Sequence, residues 1–382
     1  MGLSYVIFSA QYPPHLGGIE TFTYNLSHSL IKRGDSVLVV TNDTNDVGTG
    51  ITDDDGVTVL RLPCHPLVDG RFPLQKHDSK TRGLKKWLEE QKVDGVLVNA
   101  RFYPHSLAGI KFARMKGLRP VVLDHGSAYL SFSNAALDPV VRLYERTVTE
   151  WGKRFTPAYY GISEKSVEWL SELGIEAEGV IPNAIDASAY RCLSSGHDFR
   201  SEIGLSDGRL MVAFVGRFIP EKGIRSILEA STSRRLIEAG ITFVLAGDGP
   251  LAGEVDRSQS ESLRWLGRLS TSDVSALLQQ SDLLCLPTRS EGYSTTLLEA
   301  AACGCPAVVT DVGGARELIP SDSYGTIIRS AGAKDIEEAV IKLLANRDTL
   351  IRQKHACRQL VEEKCTWNAT SALLEDAFSS AR

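Results

Sequence analysis

The strongest constraint on the fold of this chain is an alternation that runs through it twice. Short apolar runs of strand length at 5–9, 37–41, 57–60, 93–98, 121–123, 159–161 and 179–181 are separated by helix-like stretches, the first over 19–32. Strands buried on both faces read as near-continuous Val, Ile and Leu, so this pattern predicts a parallel sheet covered by helices on both sides. It breaks in a polar, irregular passage and restarts at 210–215, with further runs at 241–246, 262–265, 282–287, 307–310 and 325–328. A chain of 382 residues exceeds what one core usually fills, so the expectation is two doubly wound α/β domains. They are placed at 1–185, the last strand closing near Asn183, and at 209–365, with a linker at 186–208 and a final helix at 366–382. Open α/β sheets bind ligands beyond the carboxyl ends of their strands, which predicts a cleft flanked by both domains.

No apolar run reaches the roughly 20 residues needed to cross a bilayer, and the start Met-Gly-Leu-Ser-Tyr-Val-Ile-Phe lacks the plan of a signal peptide, so residence in the cytoplasm is expected. Seven scattered cysteines argue against a disulfide framework, and Cys303-Gly-Cys305 reads as a helix-to-strand turn rather than a metal or redox pair. The net charge of −5 is uneven: residues 71–119 hold twelve Lys or Arg against four Asp or Glu, leaving 30 basic and 43 acidic residues elsewhere. Lys80, Arg82, Lys85 and Lys86 surround one predicted helix, and Lys111, Arg114, Lys116 and Arg119 sit on or after another. This zone is either a solvated face or a surface for anionic phospholipid or a lipid-diphosphate acceptor, where each basic group adds about 1 kcal/mol. Nucleic acid is not expected, given the overall acidity and the few aromatics here.

The densest chemistry lies in Glu291-Gly-Tyr-Ser-Thr-Thr-Leu-Leu-Glu299, after the 282–287 strand and at the start of a helix. Ser294 or Thr295 can cap that helix, its first amides attract phosphate oxygens, and Glu299, about a turn and a half on, can take two ribose hydroxyls. Each part of a nucleotide sugar thereby meets a partner. Phe214-Val-Gly-Arg217-Phe-Ile-Pro-Glu-Lys222-Gly223 adds two cations at a strand end, where a departing diphosphate needs a divalent metal or fixed positive groups. Asp53-Asp-Asp55 has the letters of a metal clamp but is assigned to a solvated loop, so no metal site is expected. In the first half, Gly17-Gly18 follows the first strand and lets backbone approach a ligand, and His125, at another strand end, can orient a sugar hydroxyl or handle a proton. Gly247-Asp-Gly249 has the wrong spacing to Gly253 for a dinucleotide fingerprint.

Together, Gly17-Gly18, His125-Gly126, Ile181-Pro-Asn183-Ala-Ile-Asp186, Gly216-Arg217 with Lys222-Gly223, Ala246-Gly-Asp-Gly-Pro250 and 291–299 resemble the retaining glycosyltransferase family 4 (glycosyl transferases group 1) of the GT-B fold. The resemblance implies two Rossmann-like domains facing across a cleft, the first binding the acceptor and the second the donor. It implies that Arg217 and Lys222 bind the donor diphosphate and that Glu291, with the backbone of Gly292, Tyr293 and Ser294, contacts the donor sugar. Thr295 and Thr296 amides would meet phosphate, Glu299 the ribose, and backbone at 266–268, including Arg268, the base. His125 would lie beside the transferred sugar, and the last helix would cross back onto the first domain. Ala184 and Tyr293-Ser294 depart from the usual Gly and Phe-Gly, so sugar selectivity does not carry over. The expected activity is metal-independent, cofactor-free transfer from a nucleoside-diphosphate sugar to an acceptor hydroxyl with retention, the acceptor being a glycolipid, a lipid-linked intermediate or a cell-surface polysaccharide. Peripheral contact with anionic membrane at the inner face of the cell membrane goes with it. The alternatives are a sugar-nucleotide epimerase of similar form and a noncatalytic nucleotide-sugar-binding subunit.

Overall fold

The structure, a computed structural model, describes residues 2–15, 17–68, 70, 72–130, 137–205 and 208–381; Leu16 of the glycine loop, Arg71 of the basic zone and residues 206–207 of the expected linker fall outside these. The chain divides into two compact units, residues 1–183 with 367–382, and residues 184–366.

Unit 1 contains strands β1 (Ser4–Phe8), β2 (Ser36–Asn42), β3 (Gly50–Asp54), β4 (Val57–Leu62), β5 (Cys64–Leu67), β6 (Phe72–Gln75), β7 (Gly95–Asn99), β8 (Val121–Asp124), β9 (Ala158–Gly161) and β10 (Gly179–Val180). Eight form one sheet in the order β10-β9-β8-β7-β1-β2-β4-β3. All its pairings are parallel except β3 with β4. Its helices are α1 (Gly18–Lys32), α2 (Ser79–Glu90), α3 (Pro104–Met115), α4 (Leu137–Lys153) and α5 (Glu164–Glu172). Their starts follow local chemistry: Asp78 and Ser163 accept from the amides of Thr81 and Ser166, and Pro104, with no N–H to satisfy, opens α3. Val6, Phe8, Val40, Leu60, Val96, Val98 and Val122 from adjacent strands make one contiguous buried face with Ile110 and Phe112 of α3.

One expectation is corrected here. Of the Asp53-Asp-Asp55 stretch, Asp53 and Asp54 are not in a loop but end β3, an antiparallel edge strand, where Asp54 accepts a 2.9 Å hydrogen bond from the Tyr12 hydroxyl; Asp55 lies in the exposed turn that follows. The polar sequence of β3 has no apolar period because the strand is an edge with exposed side chains. The β5–β6 hairpin was also unread, since Pro66 and Pro73 interrupt both strands.

In unit 2, helices α6 (Ala187–Cys192) and α7 (Phe199–Glu202) occupy the expected linker. Asp186 and Asp198 cap them, and they are fastened to the rest of the unit. Arg191 donates to the Ala302 carbonyl (2.8 Å) and pairs with Glu362 (2.6 Å), while Arg200 pairs with Asp282. Helices this short show no period in sequence, which is why the passage reads as irregular. The remaining strands are β11 (Leu210–Val215), β12 (Ile241–Ala246), β13 (Leu263–Trp265), β14 (Leu283–Leu286), β15 (Ala307–Thr310) and β16 (Thr326–Ile328), in the order β13-β12-β11-β14-β15-β16, all parallel. The helices among and after them are α8 (Ile224–Ser231), α9 (Arg234–Glu238), α10 (Ala252–Arg257), α11 (Thr271–Gln280), α12 (Thr295–Ala302), α13 (Ala315–Leu318), α14 (Ala333–Leu344) and α15 (Arg347–Lys364). Cys303-Gly304-Cys305 ends α12 as the expected turn: Gly304 has φ +67°, and the Cys305 amide returns to the Ala300 carbonyl at 2.8 Å.

The last helix, α16 (Trp367–Ser380), belongs to unit 1. Phe378 stacks on Tyr5 at 4.8 Å over Gly95, where a Cβ would come within 2.8 Å of the ring. Arg33 of the α1 terminus forks Glu375 at 2.9 and 2.7 Å, and Ser371 meets Ser29 at 2.9 Å.

Candidate active site

The strand order of unit 2 reverses between β11 and β14, and at such a switch point the two flanking loops diverge and leave a crevice. The loop after β11 carries Arg217 and Lys222, and the loop after β14 carries Glu291, so the sequence-predicted residues converge there. The two loops are tied by backbone: the Glu221 carbonyl accepts from the Arg289 amide (2.8 Å) and the Thr288 hydroxyl (3.1 Å). Gly223, at φ +73°, passes so close that a Cβ would stand 2.2 Å from the Pro287 carbonyl oxygen. Lys222 and Glu291 then form an ion pair across the gap. Their side chains are 23 % and 22 % exposed, so solvent screens the pair and its net worth is about 1 kcal/mol or less. A diphosphate, carrying more charge than one carboxylate, can draw Lys222 to itself at that small cost. Arg217 is exposed, and its guanidinium makes no ion pair among the described residues.

The next loop stacks against this one. Phe218 is fully buried, its amide donates to the Asp248 carbonyl (2.8 Å), and its carbonyl accepts from Leu251 (3.0 Å). Gly247 and Gly249 allow that approach, since a Cβ on Gly247 would lie 1.9 Å from the Gly216 oxygen and one on Gly249 2.7 Å from that of Phe218. Their role is close loop packing. Beyond β13, the Leu266 and Gly247 amides bond to Leu245 and Gly267 carbonyls at 2.9 and 2.8 Å, extending the ladder to the exposed Arg268.

Of the two cap candidates, Ser294 is the one used: its hydroxyl accepts from the Leu297 amide at 3.2 Å. First-turn amides of a helix, that of Thr296 among them, have no intrahelical acceptor and point along the positive end of the helix dipole. The Tyr293 ring is buried against Gly314, so at this position only the backbone faces outward, beside Gly292. Gly313 and Gly314 support the loop from below, where Cβ atoms would stand 2.6 Å from the Gly292 oxygen and 2.4 Å from the Tyr293 ring. Glu299 keeps part of its surface open, yet the protein around it pushes its carboxyl up to about 7. Next to it in α6, the buried Tyr190 hydroxyl has no hydrogen-bond partner among the described residues, and burial first, then the Glu299 charge, raises its pKa.

Gly17, Gly18 and His125 belong to unit 1. Gly17 is extended (φ −178°) and precedes α1; a side chain there would meet the Glu20 carboxylate, which folds back to within 2.2 Å of the Cβ position. Burial raises the Glu20 pKa against the lowering effect of His15, whose Nδ1 is 3.2 Å away. At Gly18 a Cβ would meet nothing within 4 Å. His125 Nε2 lies 3.0 Å from Asn99 Oδ1, and the Asn99 amide nitrogen donates to Thr23 Oγ1 (2.9 Å), whose hydroxyl donates to the Ile19 carbonyl (2.7 Å). This relay assigns Oδ1 of Asn99 as acceptor and the imidazole proton to Nε2, leaving Nδ1 with a lone pair. Burial pushes the ring down to about 3, and Phe22 packs edge-on at 5.0 Å. A neutral imidazole of fixed tautomer suits accepting a hydroxyl proton in a hydrogen bond. Beside it lies a buried charge group: the fully buried Arg101 reaches Glu145 through both terminal nitrogens at 3.2 Å and approaches Asp124 at 3.5 Å. Burial raises the Asp124 carboxyl to about 6 against the opposing pull of Arg101.

The residues of the rejected metal motif also group in unit 1. His28, Asp54 and Asp55 place one potential ligand atom each within 4.8 Å of one another.

The described features find a match in two family models. "Glycosyltransferase Family 4" covers residues 16–189 and "Glycosyl transferases group 1" covers 197–360. The chain belongs to these glycosyltransferases. Its fold is GT-B: sucrose-phosphate synthase from Thermosynechococcus elongatus superposes with a TM-score of 0.77 at 17 % identity, covering 99 % of this chain and 98 % of that one. Anabaena Alr3699/HepE in complex with UDP-glucose gives 0.71 at 16 % identity, covering 99 % and 100 %. Among curated proteins, the GPI3 subunit of phosphatidylinositol N-acetylglucosaminyltransferase from Saccharomyces cerevisiae is 27 % identical over 343 residues, 84 % of this chain and 71 % of the yeast protein.

For this glycosyltransferase, sequence reasoning missed Asn99, Tyr190, Gly313 and Gly314. Asn99 had a signal, a polar residue closing the apolar run of β7, and the paired glycines follow β15 as Gly17-Gly18 follows β1. Tyr190 had none, because its helix was not expected.

Proposed function

We propose that this glycosyltransferase moves a sugar from a nucleoside-diphosphate donor to an acceptor hydroxyl with retained anomeric configuration and without a metal. The observation that carries this reading is the convergence of Arg217, Lys222, Glu291 and the start of α12 at the switch point of unit 2. As the bond between the anomeric carbon and the diphosphate oxygen breaks, charge grows on that oxygen. Arg217 and Lys222 stabilise it, Glu291 and the backbone at Gly292, Tyr293 and Ser294 hold the sugar, and Thr295 and Thr296 amides take phosphate. Glu299 accepts from the ribose hydroxyls, and the backbone near Arg268 flanks the base. The acceptor oxygen bonds the same face of the anomeric carbon, and its proton passes to the departing phosphate. His125, through the Nδ1 lone pair, orients a hydroxyl of the transferred sugar.

A nucleotide-sugar donor agrees with HepE having been captured with UDP-glucose, and a lipid-borne acceptor agrees with the phosphatidylinositol in the name of the yeast relative. Among the described residues no helix is long and apolar enough to cross a membrane. The protein is proposed to meet a lipid-linked acceptor peripherally, at the inner face of an anionic membrane, through exposed basic side chains of α2 and α3 such as Lys80, Arg82, Lys86, Lys111 and Arg114. Lys116 and Arg119 drop out of this surface: Lys116 donates to the Glu89 and Gln91 carbonyls (2.6 and 2.7 Å), and Arg119 pairs with Glu178.

The test is incubation with a panel of nucleoside-diphosphate sugars, with and without lipid-linked acceptors, followed by NMR of the product anomer. Nucleotide release that depends on acceptor and an unchanged anomeric configuration are expected. Isomerised donor would make it an epimerase, and binding without turnover a noncatalytic subunit.

A further inference from the structure

We propose that the outer face of α4 inserts into the interfacial layer of an anionic bilayer, an inference that rests on the membrane-borne acceptor proposed above. A surface helix ordinarily has one apolar stripe, turned to the core. Helix α4 has two. One side buries Glu145, Val148, Thr149 and Gly152. On the other, Leu137, Val140, Leu143 and Trp151 are 42, 61, 68 and 48 % exposed, with Thr147 between the last two. Steps of three or four residues keep all five on one face. Single exposed apolar side chains are normal, but four large ones in a row are a patch.

The margins of the stripe say what covers it. Arg142 and Arg146 are exposed along α4 itself, and the one exposed carboxylate there, Glu150, is paired with Lys153 at 2.6 Å. From α3, Lys111 places its ammonium 4.7 Å from the centre of the Trp151 ring, and Met115, one turn on, is 54 % exposed. Lys111 and Met115 also line, with Lys85 and Phe112, a cavity of about 200 Å³ between α2 and α3. An apolar stripe with a Trp, bordered by Lys and Arg, matches the layering of a bilayer surface. Acyl chains meet Leu and Val, the Trp ring sits at the headgroup level, and the cations meet anionic headgroups. The basic zone alone would give only attraction that salt screens; the stripe adds a part that salt does not remove.

The full-length protein is sedimented with vesicles of phosphatidylcholine alone or with phosphatidylglycerol, at low and high salt, alongside a Val140→Glu/Leu143→Glu variant. Both positions are exposed, so the fold tolerates the change, which circular dichroism checks. Wild type is expected to bind the anionic vesicles, to remain partly bound at high salt, and to bind roughly tenfold or more tightly than the variant. Brominated acyl chains should quench wild-type fluorescence, and Trp151→Phe should remove that quenching. Failure to bind either vesicle, equal binding by the variant, or complete release by salt without quenching would overturn the proposal. So would a self-associated wild type that the variant dissolves, since the stripe would then be an interface between copies. Titration with UDP and ADP reports separately on the donor site, so loss of nucleotide binding counts against the transferase reading alone.

Discussion

Unit 2 holds its candidate functional groups in loops pinned by glycines, whereas unit 1 holds its own in a buried polar relay behind its strand ends. In unit 2, Gly223, Gly247, Gly249, Gly313 and Gly314 each sit where a Cβ would collide with a neighbouring loop. In unit 1, Gly18 is open and the order comes from hydrogen bonds: His125 to Asn99 to Thr23, and Arg101 between Glu145 and Asp124. A diphosphate subsite needs backbone and cations at fixed places, which close loop packing supplies. A group that recognises hydroxyls needs a defined donor and acceptor pattern, which a buried relay supplies.

That contrast is broken most severely at Arg101. Arg101→Ala leaves two buried carboxyls without their cation and is expected to destabilise unit 1 by about 3–5 kcal/mol, read by denaturant unfolding. A loss under 1 kcal/mol would mean that the group is solvated. Next, Gly247→Ala sets a Cβ against the Gly216 carbonyl at φ +142° and should cost about 2–4 kcal/mol. Gly18→Ala should change stability by less than about 0.5 kcal/mol, so any loss of activity there reports on ligand approach. Equal effects at the two glycines would erase the difference between the units.

How much of this was legible in sequence follows the same divide. The strands of unit 2, the placement of Arg217, Lys222 and Glu291 on strand-end loops and the cap of α12 could be read, because continuous apolar runs, strand-end glycines and a capped helix are local signals. The relay of unit 1 could not, since Asn99, Thr23 and His125 lie on three elements that only the sheet order brings together. Edge strand β3, the proline-bearing β5–β6 hairpin and the short helices α6 and α7 were missed for lack of period. Gly17-Gly18 was read as a ligand approach, and the structure gives Gly17 a local reason, the returning Glu20 carboxylate.

Smaller effects sharpen the comparison. Asn99→Leu frees the His125 tautomer and should lower kcat by about tenfold with the fold kept. Labelled-histidine NMR should show wild-type His125 neutral with the proton on Nε2 from about pH 5 to 8, since burial holds the ring at about 3. A titration within that range would remove the relay. In unit 2, burial lifts the Glu299 carboxyl to about 7. The folded state binds that proton more tightly than the unfolded chain, so the contribution to stability is present below about pH 4.3 and fades as pH rises through 7. Ribose hydroxyls need the ionised form, so nucleotide affinity should rise by up to about tenfold between pH 6 and 8 and then level off. Glu299→Gln should flatten that profile; an unchanged profile would take Glu299 away from the ribose.

The central claim is that fixed cations of unit 2, with no metal, let the diphosphate depart. Its most direct test is kcat for sugar transfer by wild type and by Arg217→Ala and Lys222→Ala variants, all in excess chelator. Wild type should keep its full rate, and each variant should fall by about 10²–10³. A wild-type rate that collapses in chelator and returns with magnesium or manganese would contradict the account, as would variants within a few-fold of wild type.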